Sequence, residues 1–247
     1  MDIRRTLIPY HFEQKWDIIP NRVGEWEIIH GLELSTRLAM VKALSPDIVV
    51  SGDCMAAIGA QRNNLNLVWM DAHGDFNTNM TTKTGSLGGM VFAMLCGIGD
   101  QSLMQCCNTI PVNFPIHLGG SVNFPIHLGG SEFDFGEKSL MKRVRVKVAT
   151  NTTEIEYWVN FIKSSRVRDT HLHIDTDVIC SEDLPSSIHP APMGMRLDYF
   201  WGVVHKLLPV TKVLSIKTYD PRKDASGIGQ DIVLTLIKEF EECLMKA

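Results

Sequence analysis

Short apolar runs rich in β-branched and aromatic residues recur along this chain, and segments with helical periodicity separate them. Residues 48–50 and 67–70 are apolar throughout instead of alternating with polar residues, as strands covered on both faces should be. The alternation of strands and helices predicts an α/β fold, in which helices cover both faces of a parallel sheet. The predicted strands cover residues 6–9, 47–51, 66–70, 144–148, 171–174 and 213–217.

Between these runs, the periodicity of apolar positions predicts a helix in almost every connection. Thr153 lies three residues before Glu156, which fits a capping box at the start of one of these helices. The chain has 247 residues, of which 45% are apolar, and can bury a substantial core, so we expect a single α/β domain over residues 1–247. The predicted helices cover residues 35–44, 55–61, 89–95, 137–142, 153–164, 197–208 and 229–245.

Charge and composition argue against several classes of partner. The formal net charge of -4, with no block of Lys or Arg, gives no electrostatic footprint for nucleic acid or for an anionic membrane. The N-terminal residues lack the apolar region of a signal peptide, and the longest apolar stretch, residues 90–98, is too short to span a bilayer. The cysteines form no CxxC pair and are not typical of a disulfide framework. We therefore expect a cytoplasmic protein.

One segment is duplicated, because residues 112–121 recur residue for residue as residues 122–131. The repeated unit is too short for a solenoid, so we interpret it as a local tandem duplication. Its even length preserves the face to which each side chain points, so either copy fits a strand. The other copy would form a surface loop or an edge strand, where Pro115 or Pro125 is tolerated.

Acidic and metal-ligating side chains follow three of the apolar runs directly. Ligands bind beyond the carboxyl ends of parallel strands, so we expect these side chains to meet at one edge of the sheet. Carboxylates gathered there would repel one another, and bound divalent cations would stabilise them. The three stretches are Ser51-Gly52-Asp53-Cys54, Asp71-Ala72-His73-Gly74-Asp75 and His173-Ile174-Asp175-Thr176-Asp177.

The spacing within these stretches favours a pair of metal ions. Alternate residues of an extended segment share a face, so Asp71, His73 and Asp75 project together, as do Asp175 and Asp177. Two such segments on neighbouring strands would hold two divalent ions that bind and activate one water molecule. Oxygen ligands with few imidazoles suit Mn²⁺ or Mg²⁺ better than a metal that prefers thiolate. The pattern therefore predicts a hydrolytic two-metal site.

These motifs resemble signatures of the ureohydrolase family, which includes arginase, agmatinase and formiminoglutamase. Residues 71–75, Asp-Ala-His-Gly-Asp, resemble the DAHxD signature, and residues 175–177, Asp-Thr-Asp, resemble the later DxD motif. The pair of motifs is far more specific than either motif alone. Further similarity extends the resemblance to most of the chain. It covers the GGDH motif at residues 51–54, the SGNxHGM segment at residues 84–90, residues 126–129 followed by Glu132 and Glu137, and residues 190–194 and 219–224.

The resemblance implies an arginase-like, three-layer α/β/α domain with a mostly parallel sheet and a binuclear manganese centre. It also implies hydrolysis of a C–N bond of a linear guanidino or amidino compound by a metal-bound hydroxide. Family members commonly form trimers or hexamers, so a homo-oligomer is expected by analogy. Carried over by position, the ligands of the two Mn²⁺ ions would be Asp71 and Asp175 as bridges, Cys54 and Asp75 on one ion, and His73 and Asp177 on the other.

Three positions depart from the family pattern. Cys54 stands where arginases have a histidine ligand, and a thiolate would shift the preference toward Zn²⁺, Fe²⁺ or Co²⁺. Gly88 stands in place of a histidine that handles protons and substrate, and Thr218 stands in place of a guanidinium-binding glutamate. The resemblance therefore leaves the natural substrate open.

Some residues have two interpretations. Asp71, His73 and Asp75 by themselves would also suit a turn from strand to helix, where they would cap backbone groups. Cys54 is either a ligand or a small buried core residue. His173 lies on the face of the DxD carboxylates, where it either orients a ligand or shuttles protons, or it is a hydrogen-bonded core histidine.

The function itself has three alternatives. The leading hypothesis is a hydrolase, and its catalytic residues would be Asp71, His73, His173, Asp175 and Asp177. The second is a catalytically silent relative that acts as a binding or regulatory protein, because Gly88 and Thr218 replace functional side chains. The third is a deacetylase, by distant resemblance to the histone-deacetylase fold, against which the DAHxD signature argues.

Overall fold

The computed structural model describes residues 2–11, 14–16, 18, 24–30, 33–105, 107–110, 125–164, 169–217 and 219–246. Predicted positions such as Thr218 and the first copy of the duplication, residues 112–121, lie outside them. The strands are β1 (Arg5–Ile8), β2 (Tyr10–His11), β3 (Gln14–Lys15), β4 (Glu27–Ile28), β5 (Ile48–Ser51), β6 (Asn66–His73), β7 (Pro125–Glu132), β8 (Lys147–Ala149), β9 (Thr170–Asp175) and β10 (Thr211–Lys217).

Eight of these strands form one sheet in the order β4-β1-β5-β10-β9-β6-β7-β8. Every described pairing within this sheet is parallel, whereas β2 and β3 form a small antiparallel pair apart from it. All strands of the main sheet therefore end at the same edge. Strands β5, β6 and β9 correspond to the three predicted apolar runs that acidic residues follow. Strand β10 corresponds to the last predicted run, and these four strands are central in the sheet.

Helices lie on both faces of the sheet, as the alternating pattern predicts. The helices are α1 (Leu34–Leu44), α2 (Ala56–Ala60), α3 (Val91–Leu95), α4 (Gln101–Met104), α5 (Glu137–Arg143), α6 (Thr152–Ser164), α7 (Leu197–Leu207) and α8 (Ile228–Lys246). Val68, Met70 and Leu172 face one side, where they pack with residues of α6, α7 and α8. Leu67 and Trp69 face the other side, where they pack with residues of α2, α3 and α5. No described helix combines the length and the apolar character that a bilayer crossing requires.

The predicted elements are present with shifted boundaries. The segment predicted as a strand at residues 144–148 begins later, at Lys147, because α5 ends at Arg143 and a turn follows it. The helix predicted at residues 89–95 consists of a 3₁₀ turn, Gly88–Met90, followed by α3. The periodicity missed the short strands β2, β3 and β4, because two residues are too few to show a period.

The predicted capping box at α6 is wrong by two positions. The side chain of Asn151 accepts a hydrogen bond from the backbone N–H of Glu154 at 3.0 Å, and its carbonyl accepts one from Ile155 at 3.0 Å. Glu154 Oε2 in turn accepts from the backbone N–H of Thr150 at 2.9 Å. Asn151 is therefore the N-cap, and Thr153 lies inside the first turn.

The second copy of the duplication supplies β7, which lies between β6 and β8 instead of at an edge. Pro125 is tolerated there because it is the first residue of the strand. Gly129 pairs with Asp71, and the register shifts directly after this pair. A Cβ atom at Gly129 would lie 2.7 Å from the carbonyl oxygen of Asp71, and φ is +110° there, so glycine is required.

Candidate metal centre

The register of three neighbouring strands brings the predicted side chains together. Lys217 of β10 pairs with Asp175 of β9, and Trp69 of β6 pairs with His173 of β9. Asp71 follows Trp69 by two residues and Asp175 follows His173 by two residues, so the two carboxylates share one face of neighbouring strands. The carboxyl end of the sheet therefore gathers residues that lie about a hundred positions apart in the chain.

Four carboxylates at this edge of the sheet are buried, and together with the side chains that contact them they form what we call the cluster. Asp71 and Asp177 are 0% exposed, Asp175 is 2% exposed and Asp75 is 7% exposed. Some of their oxygens accept hydrogen bonds from nearby N–H groups. Asp71 accepts from the backbone of His73 at 2.7 Å and from Trp69 Nε1 at 3.1 Å. The backbone N–H of Ala72 donates to Asp177 at 3.3 Å. These bonds fix the orientation of the carboxylates without neutralising them.

His73 connects the two motifs. Its Nδ1 lies 3.2 Å from Asp177 Oδ2 and 3.5 Å from Asp71 Oδ1. Burial alone would lower the pKa of this imidazole, but its hydrogen bonds to Asp177 and Asp71 and the charges of both carboxylates raise the pKa to about 11. His127 Nε2 donates to the carbonyl oxygen of His73 at 2.6 Å and thereby holds its backbone. In the metal-free protein His73 is therefore a cation between two carboxylates.

Asp75 has an unusual backbone and an unsatisfied side chain. Its φ is +46°, in the left-handed region, which Asp tolerates better than most residues. Its Oδ2 is buried and has no hydrogen-bond partner within the described residues. Burial, together with the charge of Asp71, raises the pKa of Asp75 well above its ordinary value. No cation among the described residues contacts this carboxylate directly, so its ionised form is not compensated there.

Lys217 is a residue of this cluster that sequence reasoning missed. Its ammonium contacts Asp175 Oδ2 and lies 3.5 Å from Asp177 Oδ2. Burial lowers the pKa of Lys217, but Asp175 and Asp177 outweigh burial and raise the pKa well above its ordinary value. Burial and the charge of Asp177 raise the pKa of Asp175 to about 6 even beside this cation. The missed signal was a lysine that ends a strand directly after four buried residues, 213–216, which are apolar or small.

Cys54 and His173 approach the cluster from two different elements. Cys54 lies in the turn between β5 and α2, and its Sγ is 3.6 Å from Asp175 Oδ2. Burial, followed by the charge of Asp75, raises the pKa of the Cys54 thiol well above its usual value. The ligand-type atoms of Cys54, Asp71 and His173 lie within 4.8 Å of one another. A second such group consists of Asp71, His73 and Asp177.

These residues fit a divalent metal ion. The buried Asp75 Oδ2 has no partner within the described residues, and the two groups of ligand-type atoms share Asp71. A cation would relieve the repulsion that raises the pKa of Asp75 and Asp175. Of the predicted ligands, Cys54, His73 and Asp75 line a cavity of about 710 Å³. Asp71 and Asp177 belong to the groups of ligand-type atoms, and Asp175 lies beside Cys54 but in neither group.

Glu137, which sequence reasoning placed at the start of a helix and in the family resemblance but without a role, supports the loop that carries Asp75. Its carboxylate accepts hydrogen bonds from the backbone of Phe76 at 2.8 Å, from the backbone of Asp134 at 2.7 Å and from Asn77 Nδ2 at 3.1 Å. Burial raises the pKa of Glu137. This carboxylate therefore ties the end of β6 to the start of α5.

The contact with Glu137 explains why glycine stands between His73 and Asp75. A Cβ atom at Gly74 would lie 2.4 Å from Glu137 Oε2. We expect Gly74→Ala to lower the free energy of unfolding by about 1–3 kcal/mol, because Glu137 is held by three N–H groups and cannot shift freely. Urea unfolding of the chelated protein measures this difference.

Gly89→Ala is the matched control for that substitution. A Cβ atom at Gly89 would meet nothing within 4 Å. We therefore expect it to change the free energy of unfolding by less than about 0.5 kcal/mol. Equal losses in the two variants would contradict the steric role of Glu137.

At the position of the missing family histidine, the cavity has free space. A Cβ atom at Gly88 would have only Ser86 Oγ nearby, at 3.6 Å. His189, which also lines the cavity, lies edge-on to His73 with 5.8 Å between the ring centroids. Burial, followed by the charge of Lys217, lowers the pKa of His189 to about 4, so its imidazole is neutral at pH 7.

Comparison with known proteins agrees with these motifs. A sequence model described as the arginase family matches residues 33–240. The chain is 30% identical over 180 residues to the arginase of Bacillus subtilis (strain 168), which covers 64% of this chain and 58% of that protein. It is 27% identical over 154 residues to the arginase of Staphylococcus aureus (strain MRSA252), which covers 57% of this chain and 48% of that protein. The chain thus spans about half the length of these relatives.

The fold agrees as well. The native structure of arginase from Bacillus caldovelox superimposes on this chain with a TM-score of 0.75 and 20% sequence identity. The superposition covers 95% of this chain and 96% of the other. At this level of identity the likeness shows the three-layer α/β fold with its parallel sheet and not the activity.

Proposed function

Because this chain belongs to the arginase family, we propose that it is a divalent-metal-dependent hydrolase that cleaves a C–N bond of a linear guanidino or amidino compound. The observation that carries the proposal is the convergence of Asp71, His73 and Asp177, within 4.8 Å of one another, beside a cavity of about 710 Å³. A buried group of carboxylates that opens to a cavity of this size suits a small polar substrate.

This site would hold two Mn²⁺ ions. The sulfur of Cys54 would also suit a softer divalent metal. When bound, such ions would lower the pKa of a water molecule and so supply a hydroxide nucleophile for the amidine carbon. The residues that would hold them are Cys54, Asp71, His73, Asp75, Asp175 and Asp177.

The residues of the chain prepare the site in three ways. Asp71 is held by Trp69 and by the backbone of His73, so its carboxylate keeps a fixed orientation. Asp71 and Asp177 hold the imidazole of His73, which would have to lose a proton to ligate an ion. His189 presents a neutral imidazole to the cavity at pH 7, so one ring nitrogen can donate a hydrogen bond to the substrate and the other can accept one.

The charge of the cavity favours a cationic substrate. Glu132 and Asp134 lie on its wall and are exposed, whereas the cation Lys217 is buried against Asp175. Acidic groups at a cavity wall raise the local concentration of positively charged ligands. A guanidinium or amidinium group meets this requirement.

A panel of guanidino and formimino compounds, including arginine and agmatine, tests the proposed function. The full chain would be chelated, reloaded with Mn²⁺, Co²⁺ or Zn²⁺, and assayed for release of urea, ammonia and formamide. We expect metal-dependent release from at least one compound. Silence across all metals and compounds would contradict the enzymatic function.

A catalytically silent binding protein is the second candidate, and Lys217 is the observation that favours it. Its ammonium contacts Asp175 and lies 3.5 Å from Asp177, so it competes with a metal ion for the same oxygens. A silent relative would bind members of the panel, as measured by calorimetry, without product release. An active hydrolase would show both.

A further inference from the structure

We propose that His173, through its Nε2, is a metal ligand that takes over the role of the histidine missing at position 54. This inference rests on the proposed function, because it adds a ligand to the same metal centre. By the resemblance, this histidine ligand is expected at position 54 and not at position 173. The chain carries a cysteine at the first position and a histidine at the second.

The positions are neighbours in space although 119 residues separate them. The ligand-type atoms of Cys54, Asp71 and His173 lie within 4.8 Å of one another, and all three residues are buried. A histidine on β9 therefore reaches the side of the cluster that Cys54 lines. The histidine therefore comes from a strand of the sheet instead of from the turn after β5.

A chain of hydrogen bonds fixes the tautomer of His173. The amide nitrogen of Gln61 donates to the carbonyl oxygens of Arg62 at 3.0 Å and Leu65 at 3.2 Å, so its Oε1 is the atom that faces His171. Since an amide oxygen only accepts, His171 Nδ1, at 2.7 Å from it, carries the proton. The other nitrogen of a neutral His171 is then an acceptor.

The same logic carries through to the metal centre. Ser215 Oγ lies 2.7 Å from His171 Nε2 and donates to it, so this oxygen accepts from His173 Nδ1 at 2.8 Å. A neutral His173 that is protonated on Nδ1 has its free lone pair on Nε2. His173 Nε2 is buried and has no hydrogen-bond partner among the described residues.

Trp69 fixes the plane of the ring as well. Its indole stacks on His173 with 3.7 Å between the ring centroids, and its Nε1 donates to Asp71 Oδ2. A metal-binding imidazole is ordinarily held by a hydrogen bond on its second nitrogen, which sets the tautomer and the ring orientation. Gln61, His171 and Ser215 supply this arrangement for His173.

Nitrogen NMR of histidine side chains in the full chain tests the proposal. We expect the chelated protein to show His173 as the Nδ1–H tautomer. Its unprotonated Nε2 resonance should shift on addition of Zn²⁺, as it does for a coordinated imidazole. The resonance is assigned by its loss in His173→Gln or, if that variant does not fold, in His173→Phe, which keeps an aromatic ring against Trp69.

Metal affinity provides the second measurement, with Mn²⁺ as the probe. We expect His173→Gln to weaken binding by about 10–100-fold or more, since even residues that only orient a ligand have effects of that size. His205→Gln is the matched control, because it makes the same change at a histidine of α7 that pairs with Glu239 and has no contact with the cluster among the described residues. We expect it to leave Mn²⁺ affinity within about twofold of wild type.

The outcomes separate this inference from the proposed function. If the wild-type chain binds metal, an Nε2–H tautomer, an unmoved Nε2 resonance, or equal affinities of wild type and His173→Gln would each overturn the role of His173 and leave the hydrolase in place. If the wild-type chain binds no divalent metal, both proposals fail.

Discussion

Asp71→Asn is expected to lower metal-dependent hydrolysis by more than about 100-fold and to weaken Mn²⁺ binding by a comparable factor. Asp71 belongs to both groups of ligand-type atoms, so its loss affects each of them. Changes to residues that only support a metal ligand cost about 10–100-fold, and loss of a shared ligand should exceed that range. Calorimetric titration with Mn²⁺ and a steady-state assay on the active compound measure the two effects.

The amide also conflicts with its surroundings. Both oxygens of Asp71 accept hydrogen bonds from N–H groups, one from His73 and one from Trp69. An Asn side chain would turn a donor toward one of these donors, and the expected cost is about 1–3 kcal/mol of folding free energy. Circular dichroism and urea unfolding therefore accompany the binding measurement.

Asp231→Asn is the control for the loss of one negative charge. Asp231 is exposed in the first turn of α8, so we expect Mn²⁺ binding and hydrolysis to stay within about twofold of wild type. If folded Asp71→Asn retained wild-type metal affinity, the centre would not be where the carboxylates converge.

Lys217→Met is expected to destabilise the chelated protein by about 3–5 kcal/mol at pH 8, which is typical when one partner of a buried ion pair is removed. Lys217 is 7% exposed, and its ammonium contacts Asp175 and lies 3.5 Å from Asp177. Methionine keeps the apolar part of the side chain and removes the charge. Urea unfolding in the presence of a chelator measures the loss.

The loss should depend on pH with a definite sign. Burial and Asp177 already raise the pKa of Asp175 to about 6, and without the ammonium of Lys217 it rises further. A carboxyl whose folded pKa lies above its unfolded pKa of about 4 loses stability as the pH rises through the folded value. The cost of Lys217→Met should therefore be small at pH 5 and largest at pH 8.

Lys206→Met controls for the substitution itself. Lys206 pairs with Glu156 at 2.7 Å between α6 and α7, where both side chains are partly exposed, so the expected loss is about 0–1 kcal/mol at either pH. A cost of Lys217→Met that is equal at pH 5 and pH 8 would show that packing, and not charge, is the reason for the lysine.

Much of the fold was readable from local patterns. Buried parallel strands need apolar residues on both faces, and this requirement made the segments at residues 48–50 and 67–70 recognisable. The sequence did not identify the N-cap residue of α6, because both Asn151 and Thr153 are suitable caps and only the hydrogen bonds distinguish them. Two-residue strands such as β2 carry no period at all.

The centre was readable in part as well. The motifs at residues 71–75 and 175–177 predicted the carboxylates and His73, because acids at the ends of buried strands are costly without a partner. Lys217 was not singled out and Glu137 received no role, since each belongs to an ordinary strand or helix pattern. Only the pairing of β10 with β9 places Lys217 beside Asp175, and only the turn before α5 brings Glu137 against Gly74.

The sequence by itself determined that buried parallel strands end in carboxylates and that a histidine accompanies them, because hydrophobic period and residue chemistry are local properties. The tertiary structure decided which atoms meet. The order β10-β9-β6 sets Lys217, Asp175 and Asp71 on one face, and the hydrogen bonds from Gln61 to His173 leave one nitrogen with a free lone pair. Strand order and hydrogen-bond direction join residues far apart in the chain, so no local pattern records them.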